Sequence, residues 1–214
     1  MIDGQMLVLP ARVLALAIAI IGHEIMHGWV AWRYGDPTAK SLGRLSINPL
    51  VHVDPIGTIV VPALLYFSQA PFLFGWAKPV PVDMRTVTRN GGYGAAIAVA
   101  LAGITYNLLL AVFAATLMPM FAQPQSLAGA FVYVLLYQLA VINVILAVFN
   151  LWPIPPLDGA MALRFFASRM GWHAVAEWIE RITPYGMIFL MLVIATPVGD
   201  ILFTPAGWLL DLIL

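Results

Sequence analysis

The sequence predicts an all-α membrane protein: a polytopic helical bundle of about five to six membrane segments, with a re-entrant or β-like element after the first span. Three observations carry this reading. Hydrophobic residues make up 62% of the 214 and charged residues only 9%, with a mean hydropathy of +0.94, whereas a soluble domain carries about 25% charged residues. Apolar runs of about 20 residues, the length that crosses hydrocarbon as a helix, recur along the chain. Lys and Arg crowd some connections and are missing from others, the asymmetry that orients spans. The formal net charge of zero gives no electrostatic case for nucleic acid as a partner. Cysteine is absent, which excludes disulfides, a thiol nucleophile and thiolate metal ligands. The start, Met1-Ile2-Asp3-Gly4-Gln5, lacks the positive region of a signal peptide, so residues 1–214 are expected to form one integral membrane domain.

The elements follow in order. Span candidates fall near 7–32, 94–118, 128–151 and 184–203, and the tail 205–214 is too short to cross alone. Arg33, Lys40 and Arg44 follow the first span, Lys78, Arg85 and Arg89 precede the second, and Arg164, Arg169 and Arg181 follow the third. The turn 119–127 carries no charge. The positive-inside rule then makes 33–55, 75–93 and 152–183 cytoplasmic and 119–127 external. Segment 56–74, with Pro62 in its middle, has cytoplasmic charge at both ends, which a single crossing does not satisfy. A re-entrant hairpin entering over 56–67 and returning over 72–82 does, provided protein or water covers its non-helical backbone. Segment 160–182 mixes arginines and glutamates with Phe165, Phe166, Trp172 and Trp178, and reads as helical pieces broken at Gly171 and lying at the cytoplasmic interface.

The first span contains His23-Glu24-Ile25-Met26-His27. Residues four apart share a helical face, so both imidazoles can address one zinc ion while Glu24 projects beside them as a general base. A single histidine in a core is more often a hydrogen-bonded residue than a ligand. Two histidines and a glutamate within five residues are costly in hydrocarbon unless they are paired or coordinated, and this favours a metal site at membrane depth.

A catalytic zinc takes three protein ligands and keeps a position open. The extended pattern His-Glu-x-x-His-x-x-Gly-x-x-His fails, because Val30 stands at the glycine position and Arg33 at the third histidine. Glu177 and Glu180 lie among arginines on the interfacial segment and are explained as their solvated partners. Two aspartates beside proline turns remain, Asp54 and Asp158. Asp158 follows Pro153, Pro155 and Pro156, which end the preceding span in a stiff extended loop on the cytoplasmic side.

His-Glu-x-x-His in a first span, followed by Asn150-Leu151-Trp152-Pro153-Ile154-Pro155-Pro156-Leu157-Asp158-Gly159, resembles the site-2 protease family of intramembrane zinc metalloproteases, in its compact subgroup without an appended soluble domain. Gly35-Asp36-Pro37, Gly43-Arg44-Leu45, Asn48-Pro49-Leu50, Asp54-Pro55-Ile56-Gly57 and Ala77-Lys78-Pro79-Val80-Pro81-Val82 are also similar to that subgroup. The resemblance implies one zinc ion per chain held by His23, His27 and Asp158, with Glu24 as general base and Asn150 binding the substrate or the developing oxyanion. Ala102-Gly103-Ile104-Thr105-Tyr106-Asn107 is similar to a family motif that carries proline at the third position. Ile104 in its place removes the case for a helix bend there, while close packing at Gly103 and a polar contact by Asn107 stay expected.

The activity implied is hydrolysis of peptide bonds within or next to transmembrane segments of membrane proteins, as in regulated intramembrane proteolysis. A membrane helix hydrogen-bonds its own backbone, so it must be unwound before a carbonyl can be attacked. Addition of the unwound segment to an exposed edge, 41–50 or 76–82, would replace those bonds. Trp76, Lys78, Val80 and Asn107 are therefore the expected substrate contacts. The partners implied are a transmembrane substrate and the bilayer, in a multi-pass cell-membrane protein of prokaryotic inner-membrane type with its site toward the cytoplasm. Oligomeric state is open, a homo-oligomer included. The rival readings are a membrane zinc transporter, which would need further metal ligands, and an inactive relative that binds transmembrane helices without cutting them.

Overall fold

The computed structural model describes residues 5–69 and 74–214. Among these, helices α1 (Gln5–Arg33), α2 (Thr38–Ser41), α3 (Val61–Phe67), α4 (Met84–Leu117), α5 (Leu127–Leu151), α6 (Asp158–Arg169), α7 (His173–Ile182), α8 (Gly186–Ile194) and α9 (Val198–Ile213) are joined by turns, and no β-strand forms. The protein is an all-α polytopic membrane protein. Three helices are long and apolar enough to cross a membrane, Met6–Arg33, Met84–Phe121 and Leu127–Leu151. A bent pair could supply a fourth crossing.

Small side chains set how closely the three long helices approach. Ala11, Ala15 and Ala19 recur every fourth residue on α1 and are fully buried, and Ala15 packs in one cluster with Ala114 and Ala115 of α4 and Ala140 of α5. In lipid there is little hydrophobic drive between helices, so close backbone packing through such residues is what holds them together. Gly22 extends the stripe. A Cβ there would come within 2.1 Å of the Tyr106 ring, whose hydroxyl donates to Ile18 O at 3.2 Å.

The expected spans at 7–32 and 128–151 are continuous helices. The second span starts earlier than its hydropathy suggests, because polar residues 85–90 add turns ahead of the apolar run. Asp83 caps α4 by accepting from Arg85 N and Thr86 Oγ1. The helix kinks at Gly92, whose φ of 66° favours a residue without Cβ, and it keeps helical dihedrals through Ile104. The span expected at 184–203 is not continuous. It breaks at Thr196-Pro197, and the helices on either side meet at 83°. Proline lacks the N–H that would continue the ladder and pushes the residue before it out of helical geometry. The tail 205–214 belongs to α9.

The segment after the first span is helical rather than β-like. Asp54 caps a π-turn, Pro55–Val60, by accepting from Ile56 N and Gly57 N, and α3 continues from it. The chain then comes back: Trp76 N donates to Gly57 O at 3.1 Å and Lys78 N to His52 O at 2.9 Å. Both ends of the segment thus lie together, as a re-entrant path requires and a single crossing does not. Residues 70–73 lie outside the described residues. Neither 41–50 nor 76–82 pairs as a strand. The first folds into turns, with His52 Nε2 donating to Ser46 O. The second is extended, and its Trp76 and Lys78 amides are already committed. Gly171, at φ 77°, separates α6 from the amphipathic α7 where the break was expected.

Candidate metal centre

Helix α1 sets His23 and His27 one turn apart with rings edge to face, centroids 4.7 Å apart. Each ring is held from behind at Nδ1. His23 Nδ1 lies 2.6 Å from Asn107 Oδ1 on α4, and His27 Nδ1 lies 2.7 Å from Val99 O, also on α4. A carbonyl oxygen only accepts, so both Nδ1 atoms carry protons, and in the neutral rings both Nε2 atoms present lone pairs.

The orientation of Asn107 follows from its partners. Its Nδ2 donates to Asn143 Oδ1 at 2.7 Å and to Ala19 O at 3.3 Å, which leaves its oxygen for His23. Asn143 is fixed in turn by donating to Leu139 O at 2.8 Å. Both asparagines are fully buried. A Cβ on Gly103 would stand 2.5 Å from the His23 ring, so this position has to be glycine for the imidazole to lie against α4.

The proline loop brings the third group. Trp152 Nε1 donates to Leu202 O of α9 at 3.0 Å, and Leu157 N donates to Ile154 O at 2.9 Å. Asp158 opens α6 and places Oδ2 3.0 Å from His23 Nε2 and 3.2 Å from His27 Nε2. The two Nε2 atoms are 3.1 Å apart. Asp158 Oδ2 is buried and receives no directed hydrogen bond. Three lone-pair atoms thus face one another at hydrogen-bond distance with no proton assigned between them, an arrangement that repels unless a cation sits among them. Ligand atoms on a tetrahedral zinc stand about 3.3 Å apart, close to the spacings found. The residues fit the metal.

Glu24 lies beside this cluster, its Oε2 accepting Val80 N–H at 2.7 Å. A cavity of about 450 Å³ opens there, lined by His23, Glu24, His27, Asn150 and Asp158 and otherwise mostly by apolar side chains, among them Trp76 and Val80. Asn150 Nδ2 donates to Leu146 O at 2.9 Å, and its second N–H remains for other use.

Two expected substrate contacts are placed elsewhere. Asn107 is sealed beneath His23 with its hydrogen bonds spent, so it supports the centre and does not face the cavity. Lys78 is held by its backbone, with N–H on His52 O and carbonyl accepting from Arg44 Nη2 at 2.8 Å, and its exposed side chain does not line the cavity. Asn143 was missed. Its signal in the sequence is an asparagine inside a 25-residue apolar helix, where an unpartnered amide would be costly.

Fold and site together define a polytopic membrane protein with a buried two-histidine, one-aspartate cluster beside a glutamate. The description of Peptidase family M50 matches residues 120–194, which hold Asn150 and Asp158. Over 201 residues the chain is 33% identical to "Putative zinc metalloprotease YwhC" of Bacillus subtilis (strain 168), covering 92% of this chain and 85% of that relative. It is 29% identical over 175 residues to "Putative zinc metalloprotease Rip2" of Mycolicibacterium smegmatis, covering 82% of this chain and 62% of that protein. A relative of the same name from Mycobacterium tuberculosis (strain ATCC 25618 / H37Rv) is 28% identical over 91% of this chain and 71% of its own length. No solved structure matches the chain. The chain belongs to peptidase family M50, the site-2 protease family.

Proposed function

We propose that this protein is an intramembrane zinc metalloendopeptidase that cuts peptide bonds within or next to transmembrane segments of membrane proteins, opening toward the cytoplasm. The observation that carries the reading is the convergence of His23 Nε2, His27 Nε2 and Asp158 Oδ2 beside Glu24, in a mostly apolar cavity between membrane helices. Zinc, when bound by these three residues, supplies a Lewis acid for the scissile carbonyl and for water.

The chain's own residues do the rest. Val80 N–H fixes Glu24 Oε2, which leaves Oε1 to take a proton from water and pass it to the leaving amine. The uncommitted N–H of Asn150 donates to the carbonyl oxygen as negative charge develops there. Asn107 and Val99 keep both imidazoles in the orientation that binds metal. Apolar lining excludes bulk water and suits an apolar substrate segment. An unwound substrate would pair its backbone along 76–82, where Pro79 and Pro81 have no N–H groups to compete for its carbonyls.

The test is reconstitution with a single-span reporter, scoring fragments by mass spectrometry and zinc flux on the same vesicles. Cleavage at a bond in or beside the span, lost together with zinc in Asp158→Ala, with zinc retained in Asp54→Ala, is the expected result. Zinc flux without cleavage would overturn the proposal in favour of transport. Fragment proteomics of cells carrying wild type against Glu24→Gln would then identify substrates.

A further inference from the structure

A second cavity, of about 350 Å³, lies between the start of α4 and α6 and is lined by Met84, Arg85, Thr88, Arg89, Arg164 and Phe165. Three of these six are arginines and none is acidic. Arg85 and Arg89 are four residues apart and share a face of α4, while Arg164 reaches the cavity from α6. Among the described residues, neither Arg85 nor Arg89 forms a salt bridge, and Arg164 has only Glu180, at 3.4 Å, whose side chain is 71% exposed. Asp83, the nearest acid in sequence, caps α4 and its exposed carboxylate also attracts Arg85, but it does not line the recess. Thr88 Oγ1 donates to Met84 O, so the donors left to the cavity are guanidiniums. Their planar forks match phosphate oxygens, and three like charges in one recess favour an anion between them.

Depth identifies the anion. Asn90 Nδ2 donates to Tyr34 O at 2.9 Å, which sets this turn of α4 level with the end of α1. Trp32, Tyr34 and Tyr93 are exposed around that level, as aromatic side chains are where hydrocarbon meets headgroups. The apolar run of α4 begins just beyond, and Met84 and Phe165 add apolar wall to the arginine recess. A ligand with a phosphate at one end and hydrocarbon at the other fits. Basic recesses between helices at the cytoplasmic face suit anionic headgroups, and that leaflet is the anionic one. A peptide flank fits less well, since cytoplasmic flanks of membrane proteins are enriched in Lys and Arg, which these arginines repel.

We propose that this recess binds the phosphodiester headgroup of one anionic phospholipid. Met84 lines both this recess and the metal-centre cavity, so the bound headgroup stands against the wall of the site. The proposal rests on the membrane reading and holds whether or not the protein cuts peptides.

The full chain in nanodiscs of phosphatidylcholine with increasing phosphatidylglycerol tests it, counting retained lipid by native mass spectrometry. Wild type is expected to retain one phosphatidylglycerol in preference to phosphatidylcholine. R85Q/R89Q should weaken that retention at least about tenfold, and R89K, which keeps the charge but not the fork, should fall between them. R33Q/K40Q, which removes two positive charges that do not line the recess, should stay within about twofold of wild type, as exposed charges acting only through the screened field would. Equal losses in both double variants would mean only a generally basic surface and would overturn the site. Displacement of the lipid by inorganic phosphate or glycerol phosphate would assign the recess to a free anion instead, and displacement by a transmembrane peptide with an acidic flank would assign it to substrate. Zinc content measured on every variant separates loss of the recess from loss of the fold.

Discussion

His23 and His27 each give one ring nitrogen to α4 and keep the other for the shared centre, and that division of labour makes the supporting residues testable. Asn143 touches no ligand, yet it orients the Asn107 amide that orients His23. Asn143→Ala should therefore lower zinc affinity by about 10–100-fold, the usual cost of losing an outer-shell partner, measured by chelator competition. Asn107→Asp keeps an acceptor for His23 Nδ1 and should retain more of the affinity than Asn107→Leu. Gly103→Ala puts a methyl 2.5 Å from the His23 ring. Overpacking of that kind costs about 1–3 kcal/mol, so lowered thermal stability with reduced zinc stoichiometry is expected. A variant with normal stability and full zinc would show that α4 does not press on His23. The spacing of His23 and His27 was legible in the sequence. Residue chemistry alone left Asp54 and Asp158 both open as third ligand, and the resemblance to the family implied Asp158, which the structure brings together with the two histidines. Asn143 was not legible, since nothing local in α5 says which buried amide faces which helix.

The element that connects fold to chemistry is the folded-back segment 52–80. Gly57 lies against the Trp76 indole, where a Cβ would come within 2.3 Å, and two residues further on Lys78 and then Val80 carry the return path to Glu24. Gly57→Ala should displace 76–80, lowering kcat/KM while leaving zinc content intact, because no metal ligand sits on this segment. Loss of zinc in that variant would contradict the separation of the two halves. Topology has its own check: single cysteines at Ser41 and Thr88, in a chain with none of its own, should both label from the cytoplasmic side. External labelling of Thr88 would mean that the segment crosses. Charge at both ends made the return path readable from the sequence. Its helical rather than β-like form was not: the local signal, Asp54 capping Ile56 N and Gly57 N, was passed over, and the Trp76–Gly57 contact that holds the return path is tertiary. The break at Thr196-Pro197 was missed for a different reason: an averaged hydropathy window registers apolar residues and is blind to a missing N–H.

Across the whole molecule, three alanine-lined helices hold two histidines against α4, a proline loop braced by α9 delivers an aspartate to them, and an extended strip holds the glutamate beside them. This assembly joins residues 23 and 158, which lie on opposite sides of two spans in sequence, and it makes sense as a unit only if metal and base act together. Glu24→Gln is the sharpest probe of that claim. Glutamine is isosteric and still offers an oxygen to Val80 N–H, so the metal ligands and the strip should be undisturbed while the proton acceptor is gone. Zinc content and reporter cleavage measured on the same proteoliposomes should give one zinc per chain in wild type and in Glu24→Gln, with cleavage reduced by about 10²–10⁴-fold in the variant. Cleavage by Glu24→Gln at the wild-type rate with zinc bound would contradict the account.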